Sequence, residues 1–222
     1  PDAAGAGAQG VGVSPARTGA RMDPCARHAE QVATAQVSTL VDGLAASLAR
    51  RKATCDIVPA ADAARAAAQW MADTGVVRAV LADDPLVDSL GLGDALTRVG
   101  IDVRRWPVAA GRREQLGLEG PDEVCGVTVP TLAVAERGTL VLEASPGHGR
   151  GLDVTNRHHL ALLAADRVVG TLGEALARTY AAGAPIPSAV SLVSGPSRSS
   201  DIEKISTLGA HGALTEHVVI IT

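Results

Sequence analysis

Aromatic side chains are almost absent from this chain of 222 residues: Trp70, Trp106 and Tyr180 are all it has, and there is no phenylalanine. The core must therefore be built from Ala, Val, Leu and Ile, and the stacking platforms that single-stranded nucleic acids use are missing. Lysine is as scarce, with only Lys52 and Lys204. A formal charge of -4 and a pI near 5.9 leave no basic field for a phosphate backbone, so nucleic acid is excluded as a partner. Cysteine occurs three times, at Cys25, Cys55 and Cys125, never as CxxC. That excludes a zinc ribbon or an iron–sulfur cluster held within the chain. An odd, sparse set fits the reduced thiols of a cytosol. No stretch approaches the ~20 apolar residues of a membrane span, and the opening residues lack the apolar core of a secretory signal. The expectation is a cytoplasmic protein with no membrane span. No GxGxxG joins a strand to a helix and no GxxxxGK[ST] occurs, so the dinucleotide and P-loop fingerprints are missing.

What is present is an apolar fraction of 46%, enough for a folded core of one large or two small domains. Residues 1–21 are rich in Gly, Ala and Pro without periodicity and read as a flexible tail. Asp23 and Pro24 suit a helix start, and Val37, Leu40, Val41, Leu44 and Leu48 then form one apolar stripe at helical spacing. This N-terminal helix, placed at 22–52, could pack on the domain or on another subunit, which leaves a homo-oligomer open. From residue 53 the pattern alternates. Strands are predicted at 56–58, 76–82, 101–106, 123–128, 139–143, 160–163, 167–169, 189–193 and 217–221, and helices at 60–74, 92–99 and 172–180. Strand, helix, strand order with short connections argues for βαβ units and a mainly parallel sheet, with 53–222 as one domain. The run Gly147-His148-Gly149-Arg150-Gly151 reads as a flexible connection.

Ligands of open α/β sheets bind where strands end and loops begin. After the strand at 189–193 come Ser194, Gly195, Ser197, Arg198 and Asp201, with a helix start expected at Ser199 or Ser200 and Glu203 completing a capping box. Hydroxyls, backbone N–H groups and a guanidinium suit a phosphate or carboxylate. The alternative is a capped turn in which Arg198 pairs with Asp201 or Glu203. Glu136, beside Gly138 before the strand at 139–143, could act as a base or nucleophile, or could be an ordinary surface glutamate. His148, His158, His159, His211 and His217 show no HxH or HxxxH spacing, so no metal site is expected.

The block SGPSRSSDIE at 194–203 followed by LGAHGALTEHVVII at 208–221 resembles the C-terminal signature of the LUD-domain family of lactate-utilization protein C-like proteins. Gly126-Val127-Thr128, the stretch from Ala135 to Leu142, and His159-Leu160 with Arg167-Val168-Val169 resemble that family's upstream blocks in the same order. Arg137, Ser199, Ala213 and the pair Thr155-Asn156 depart from its usual pattern. The resemblance implies a three-layer α/β/α Rossmann-like sandwich of the NagB/RpiA/CoA-transferase-like kind. It also implies a role in oxidising L-lactate to pyruvate alongside iron–sulfur partner proteins, which carry the clusters while this chain holds no cofactor. The matched positions, with the turn after the strand at 189–193, nominate Thr128, Gly138, Thr139, His159, Ser194, Gly195, Ser197, Arg198, Asp201 and His211 for a small anionic metabolite. Glu136 stays the catalytic candidate on its place at a strand edge, since the resemblance transfers no mechanism. The competing expectation is an autonomous enzyme on phosphorylated or CoA-linked small metabolites. With three scattered cysteines and no dinucleotide fingerprint, the purified chain is expected to show no visible absorption, and a band accompanied by stoichiometric iron would overturn that reading.

Overall fold

The computed structural model describes residues 24–107, 123–183, 185–200, 206–208 and 212–222; at 24–33, 198–200 and 206–208 it describes the backbone alone. In the N-terminal unit, Pro1–Thr34, the described residues are helical and open helix α1 (Pro24–Arg50). The unit from Ala35 to Thr222 holds the rest. Among the described residues, no helix is long and apolar enough to cross a membrane.

The central sheet is built from β1 (Thr54–Val58), β2 (Arg78–Leu81), β3 (Asp102–Arg105), β4 (Val124–Thr128), β7 (His158–Ala164) and β12 (Thr215–Ile221). Its order is β1-β12-β7-β4-β2-β3 and every pairing is parallel. A parallel sheet is covered on both faces, so its inner strands are continuous apolar runs. The segments HVVII and LALL at 217–221 and 160–163 are such runs. Successive side chains then split between two cores. Leu160, Leu162, Val219 and Ile221 pack with Ala63, Ala67 and Met71 of α2 (Ala60–Asp73) and Leu92 and Leu96 of α4 (Leu92–Arg98). Between these helices lies the short α3 (Pro85–Ser89).

On the opposite face Ala161, Leu163, Val218 and Ile220 meet the stripe Val41, Leu44 and Leu48 of α1. They also meet a second sheet, three of whose strands the sequence predicts but whose separation from the central sheet it does not. It runs β8-β5-β6-β9, from β5 (Leu132–Val134), β6 (Thr139–Glu143), β8 (Val168–Val169) and β9 (Val190–Val193), with β6 antiparallel to both neighbours. Its inner residues Ala133 and Leu140 join the α1 core, while Val134, Val141 and Val169 are covered by Ala175 of α5 (Leu172–Thr179). The β5–β6 turn needs its glycine twice over. Gly138 has φ +62°, and a Cβ there would lie 2.9 Å from the Ser47 and Leu48 backbone. The same contact is tied by Ser47, whose hydroxyl donates to the Ala135 carbonyl at 2.6 Å.

Two expectations are corrected. No helix starts at Ser199 or Ser200: β10 (Arg198–Ser200) pairs antiparallel with β11 (Ser206–Leu208), a hairpin whose three-residue strands carry no apolar pattern to announce them. Glu203, the other half of the expected capping box, lies outside the described residues, as do Asp23 and the tail at 1–21. Nor is the glycine-rich connection loose. Leu152 and Asn156 are buried, and a Cβ at Gly149 would overlap the Trp106 ring. At Gly126, in the middle of β4, a Cβ would overlap the Leu152 carbonyl and come within 2.7 Å of Asn156 Nδ2. Gly126→Ala is therefore expected to cost about 3 kcal/mol or more, as overpacking against backbone does. Urea unfolding measures it, and a variant within 1 kcal/mol of wild type, on the order of an ordinary surface change, would refute the close approach.

Candidate functional site

Polar side chains are few inside this core, and they gather on one face. The alternation that turns Leu160 and Leu162 toward α2 turns His159 toward the second sheet, and in β12 it turns Glu216 the same way as Val218 and Ile220. In β4 it places Gly126 and Thr128 there too. The register sets Glu216 beside His159, and His159 beside Gly126. One row thus crosses three strands. In the third position the missing side chain is replaced by the Asn156 amide, whose Nδ2 donates to the Leu152 carbonyl at 3.0 Å.

His159 is 1% exposed and its Nε2 shares a 2.8 Å hydrogen bond with Thr128 Oγ1. Burial pushes the imidazole down to about 3, with His148 adding to the effect, so His159 is neutral near pH 7. Glu216 is 2% exposed. Burial pushes its carboxyl up to about 7, although the Gly195 backbone N–H donates to it. Three atoms of the row, Glu216 Oε1, His159 Nδ1 and Asn156 Oδ1, are buried without a hydrogen-bond partner among the described residues. Leaving such an atom unpaired costs ~1–3 kcal/mol, and most are paired in folded proteins. Three such atoms in one row make it the candidate place for the polar atoms of a bound molecule.

The residues nominated from the sequence divide around this row. Thr128 and His159 form part of it. Gly195 reaches it through Glu216, and its φ of +87° brings its backbone against Arg51. Ser194 and Thr139 stand next, their hydroxyls 2.7 Å apart, with Gly138 beside them against α1. The Ser197 N–H is taken by the Ala213 carbonyl at 2.8 Å. The amides expected to cradle an anion at 195 and 197 are thus both engaged within the protein. Glu136 stands apart from the row: it is exposed, accepts the Leu172 N–H at 3.1 Å at the start of α5, and lies 3.6 Å from Arg137. Arg198 is placed in β10 by its backbone; Asp201 and His211 lie outside the described residues.

Glu216 and Asn156 were not singled out from the sequence. An acid on the inward phase of TEHVVII was a readable signal for the first; nothing local announced the second. His158 and His217 face α2 instead. His158 bonds Glu123 at 2.6 Å and Thr215 at 2.7 Å, and His217 bonds Thr54 at 2.8 Å while stacking 4.9 Å from Trp70. Among the described residues, no three His, Cys, Asp or Glu side chains are placed to hold a metal. Burial raises the thiols of both Cys55 and Cys125, which keeps them protonated and poor ligands.

A family model described as LUD domain matches residues 41–221. Lactate utilization protein C of Geobacillus sp. (strain WCH70) is 28% identical over 190 residues, covering 82% of this chain and 78% of that protein. The protein of the same name from Shouchella clausii (strain KSM-K16) is 30% identical over 141 residues, 63% of this chain and 60% of that one. Among solved structures, a DUF162 family protein from Deinococcus radiodurans matches with a TM-score of 0.57 at 21% identity, covering 84% of this chain and 98% of that chain. At that identity the likeness speaks for the fold.

The buried pair has opposed effects on stability. Glu216 ionises near 4.5 when unfolded and near 7 when folded, so between these values the folded state holds an extra proton and stability falls as pH rises. His159 takes its proton near 6.5 when unfolded but only near 3 when folded, so across that window stability rises with pH. From 4.5 to 6.5 the two slopes cancel. Glu216→Gln removes one of them. At about 1.4 kcal/mol per pH unit, the stability of Glu216→Gln relative to wild type should improve by roughly 3 kcal/mol between pH 4.5 and pH 7.5. Denaturant unfolding across that range reads the difference, and a constant offset would contradict a buried, proton-holding Glu216.

Proposed function

The chain belongs to the LUD-domain family, and from that membership we propose that it works in lactate utilization, as a cytoplasmic component that binds a small metabolite. In this reading it assists the oxidation of L-lactate to pyruvate, the electron-carrying iron–sulfur clusters belonging to partner proteins. Two relatives named lactate utilization protein C support the system. One observation supports the binding role: the row Glu216–His159–Asn156, three neighbouring polar groups with unpaired buried atoms on a shared face. A carboxyl that titrates near 7 can give or take a proton, and the neutral imidazole beside it can donate or accept a hydrogen bond. Thr128 holds the ring by Nε2, which leaves Nδ1 to face a bound molecule.

The test is reconstitution. Iron–sulfur lactate-utilization partners are assayed for L-lactate-dependent dye reduction alone, with this chain, and with its His159→Gln and Glu216→Gln variants, each checked for a native melting transition. The wild-type chain should raise the rate, and the folded variants should lower that gain by tenfold or more. No gain from the wild-type chain would overturn the lactate reading; full gain from the folded variants would remove the row from it.

A further inference from the structure

The row Glu216–His159–Asn156 is sealed: Glu216 and His159 are 2% and 1% exposed, and Asn156 is buried. A molecule reaches it only if one of its coverings moves. α1 and the second sheet are held over β7 and β12 by a continuous apolar core that includes Leu44, Leu48, Leu140, Leu163 and Ile220. The remaining cover, over Gly126, is the segment at 144–157. Its buried apolar side chain is Leu152, set against Val80, Ala82, Val124 and Trp106.

That segment is built as one piece with fixed ends. The Ala144 N–H donates to the Ala189 carbonyl at 2.9 Å, and the Leu214 N–H donates to the Arg157 carbonyl at 2.7 Å. Between these points its hydrogen bonds close largely on itself. The Leu152 N–H donates to the Gly149 carbonyl at 3.1 Å, the Thr155 N–H and hydroxyl to the Gly151 carbonyl at 3.0 and 2.6 Å, and the Asn156 amide to the Leu152 carbonyl at 3.0 Å. The ties to the body are lighter. The Asp83 N–H donates to the Gly147 carbonyl at 2.9 Å, the Ser191 hydroxyl donates to the Asp153 carboxyl, and the His148 ring donates to the Glu143 backbone carbonyl. Close seating needs Gly147 and Gly149, since a Cβ at either would overlap the Asp83 carbonyl or the Trp106 ring.

Closed on nothing, the segment strands polar atoms on both sides of the contact. Asp153 Oδ2 and Asn156 Oδ1 belong to it, His159 Nδ1 and Glu216 Oε1 lie in the strands, and none has a hydrogen-bond partner among the described residues. Water reaching these atoms favours an open form, and a molecule that pairs the row favours the closed one. We propose that residues 144–157 are a gate: the segment lifts on its fixed ends to admit a small polar molecule to His159 and Glu216, and on closing sets Asn156 against it. The gate rests on the row being the binding site, whichever molecule it takes.

Two measurements on the whole chain, without added ligand, read the motion. The Asp83 amide should exchange its hydrogen at least tenfold faster than the Ala161 amide in β7, and with a smaller dependence on urea. Diethyl pyrocarbonate acylates unprotonated imidazole nitrogens, so His159 should react through Nδ1 only from the open form, as read by mass spectrometry. His217, on the other face of the sheet, is the control. Ser191→Ala removes a tie and should raise Asp83 exchange and His159 modification together, by about tenfold. Gly149→Ala, which props the segment off Trp106, should raise both further, with His217 modification and Ala161 exchange within twofold of wild type. Asp83 exchange at the Ala161 rate with the same urea slope overturns the gate. So does His159 modification that fails to follow Asp83 exchange in the variants, or a rise that His217 shares, because the fold and not the segment has then opened. Either result leaves the row's part in dye reduction standing. Full dye reduction with folded His159→Gln and Glu216→Gln, while the two rates stay coupled, removes the row's binding role and leaves the motion.

Discussion

The absence of a side chain at residue 126 is the constraint on which the polar interior depends. β4 lies in the middle of a sheet covered on both faces, and anywhere else along it a side chain would hold its neighbours about 4–5 Å off the backbone. At Gly126 the Leu152 carbonyl and the Asn156 amide come down onto the strand itself. That contact seats Leu152 against Val80, Ala82 and Val124 and sets Asn156 in line with His159. It also anchors the loop that carries His148 and Asp153. α1 and the second sheet cover the β7 and β12 portion of the same face, so the row Glu216–His159–Asn156 crosses the border between two coverings.

Borders of this kind are where polar groups survive burial. A parallel sheet offers no solvated face, and every acid or imidazole placed in it must be neutral or paired. Glu216 and His159 meet the first condition by opposite routes, one holding its proton to about 7 and the other refusing one down to about 3. The polar atoms they keep unpaired are an energetic burden that packing elsewhere must offset. Cores of Leu, Val, Ile and Ala on both sides of the sheet supply that, without aromatic residues beyond Trp70 and Trp106 at their margins. Specific placement of such groups, rather than added stability, is what a small-molecule site requires.

Much of the architecture was legible in one dimension because it follows from local periodicity. The stripe Val37, Leu40, Val41, Leu44 and Leu48 could only be one helical face, and it is the face that packs. The apolar runs of β7 and β12 declared a sheet buried on both sides. Thr128, on β4, and His159, on β7, were nominated through the family resemblance rather than through strand periodicity. Three strands of the second sheet were also legible, at 139–143, 167–169 and 189–193, but nothing local showed that they pair apart from the central sheet. The three-residue β5 was not legible, since it takes its strand form from pairing rather than from pattern. The hairpin of β10 and β11 escaped for the same reason, and its serines, which suit a helix cap equally well, pointed the wrong way.

Residue types and spacings alone determined the fold class, the faces of the long elements, and a core poor in aromatic residues. Which polar residues share a place was decided by tertiary structure. Glu216, His159 and Gly126 are separated by 57 and 33 positions in the chain, and only the parallel register makes them neighbours. Asn156 joins them only because a loop can press on a glycine. Periodicity encodes which way a side chain faces relative to its own backbone. Register and loop packing are products of long-range pairing and carry no comparable local signal.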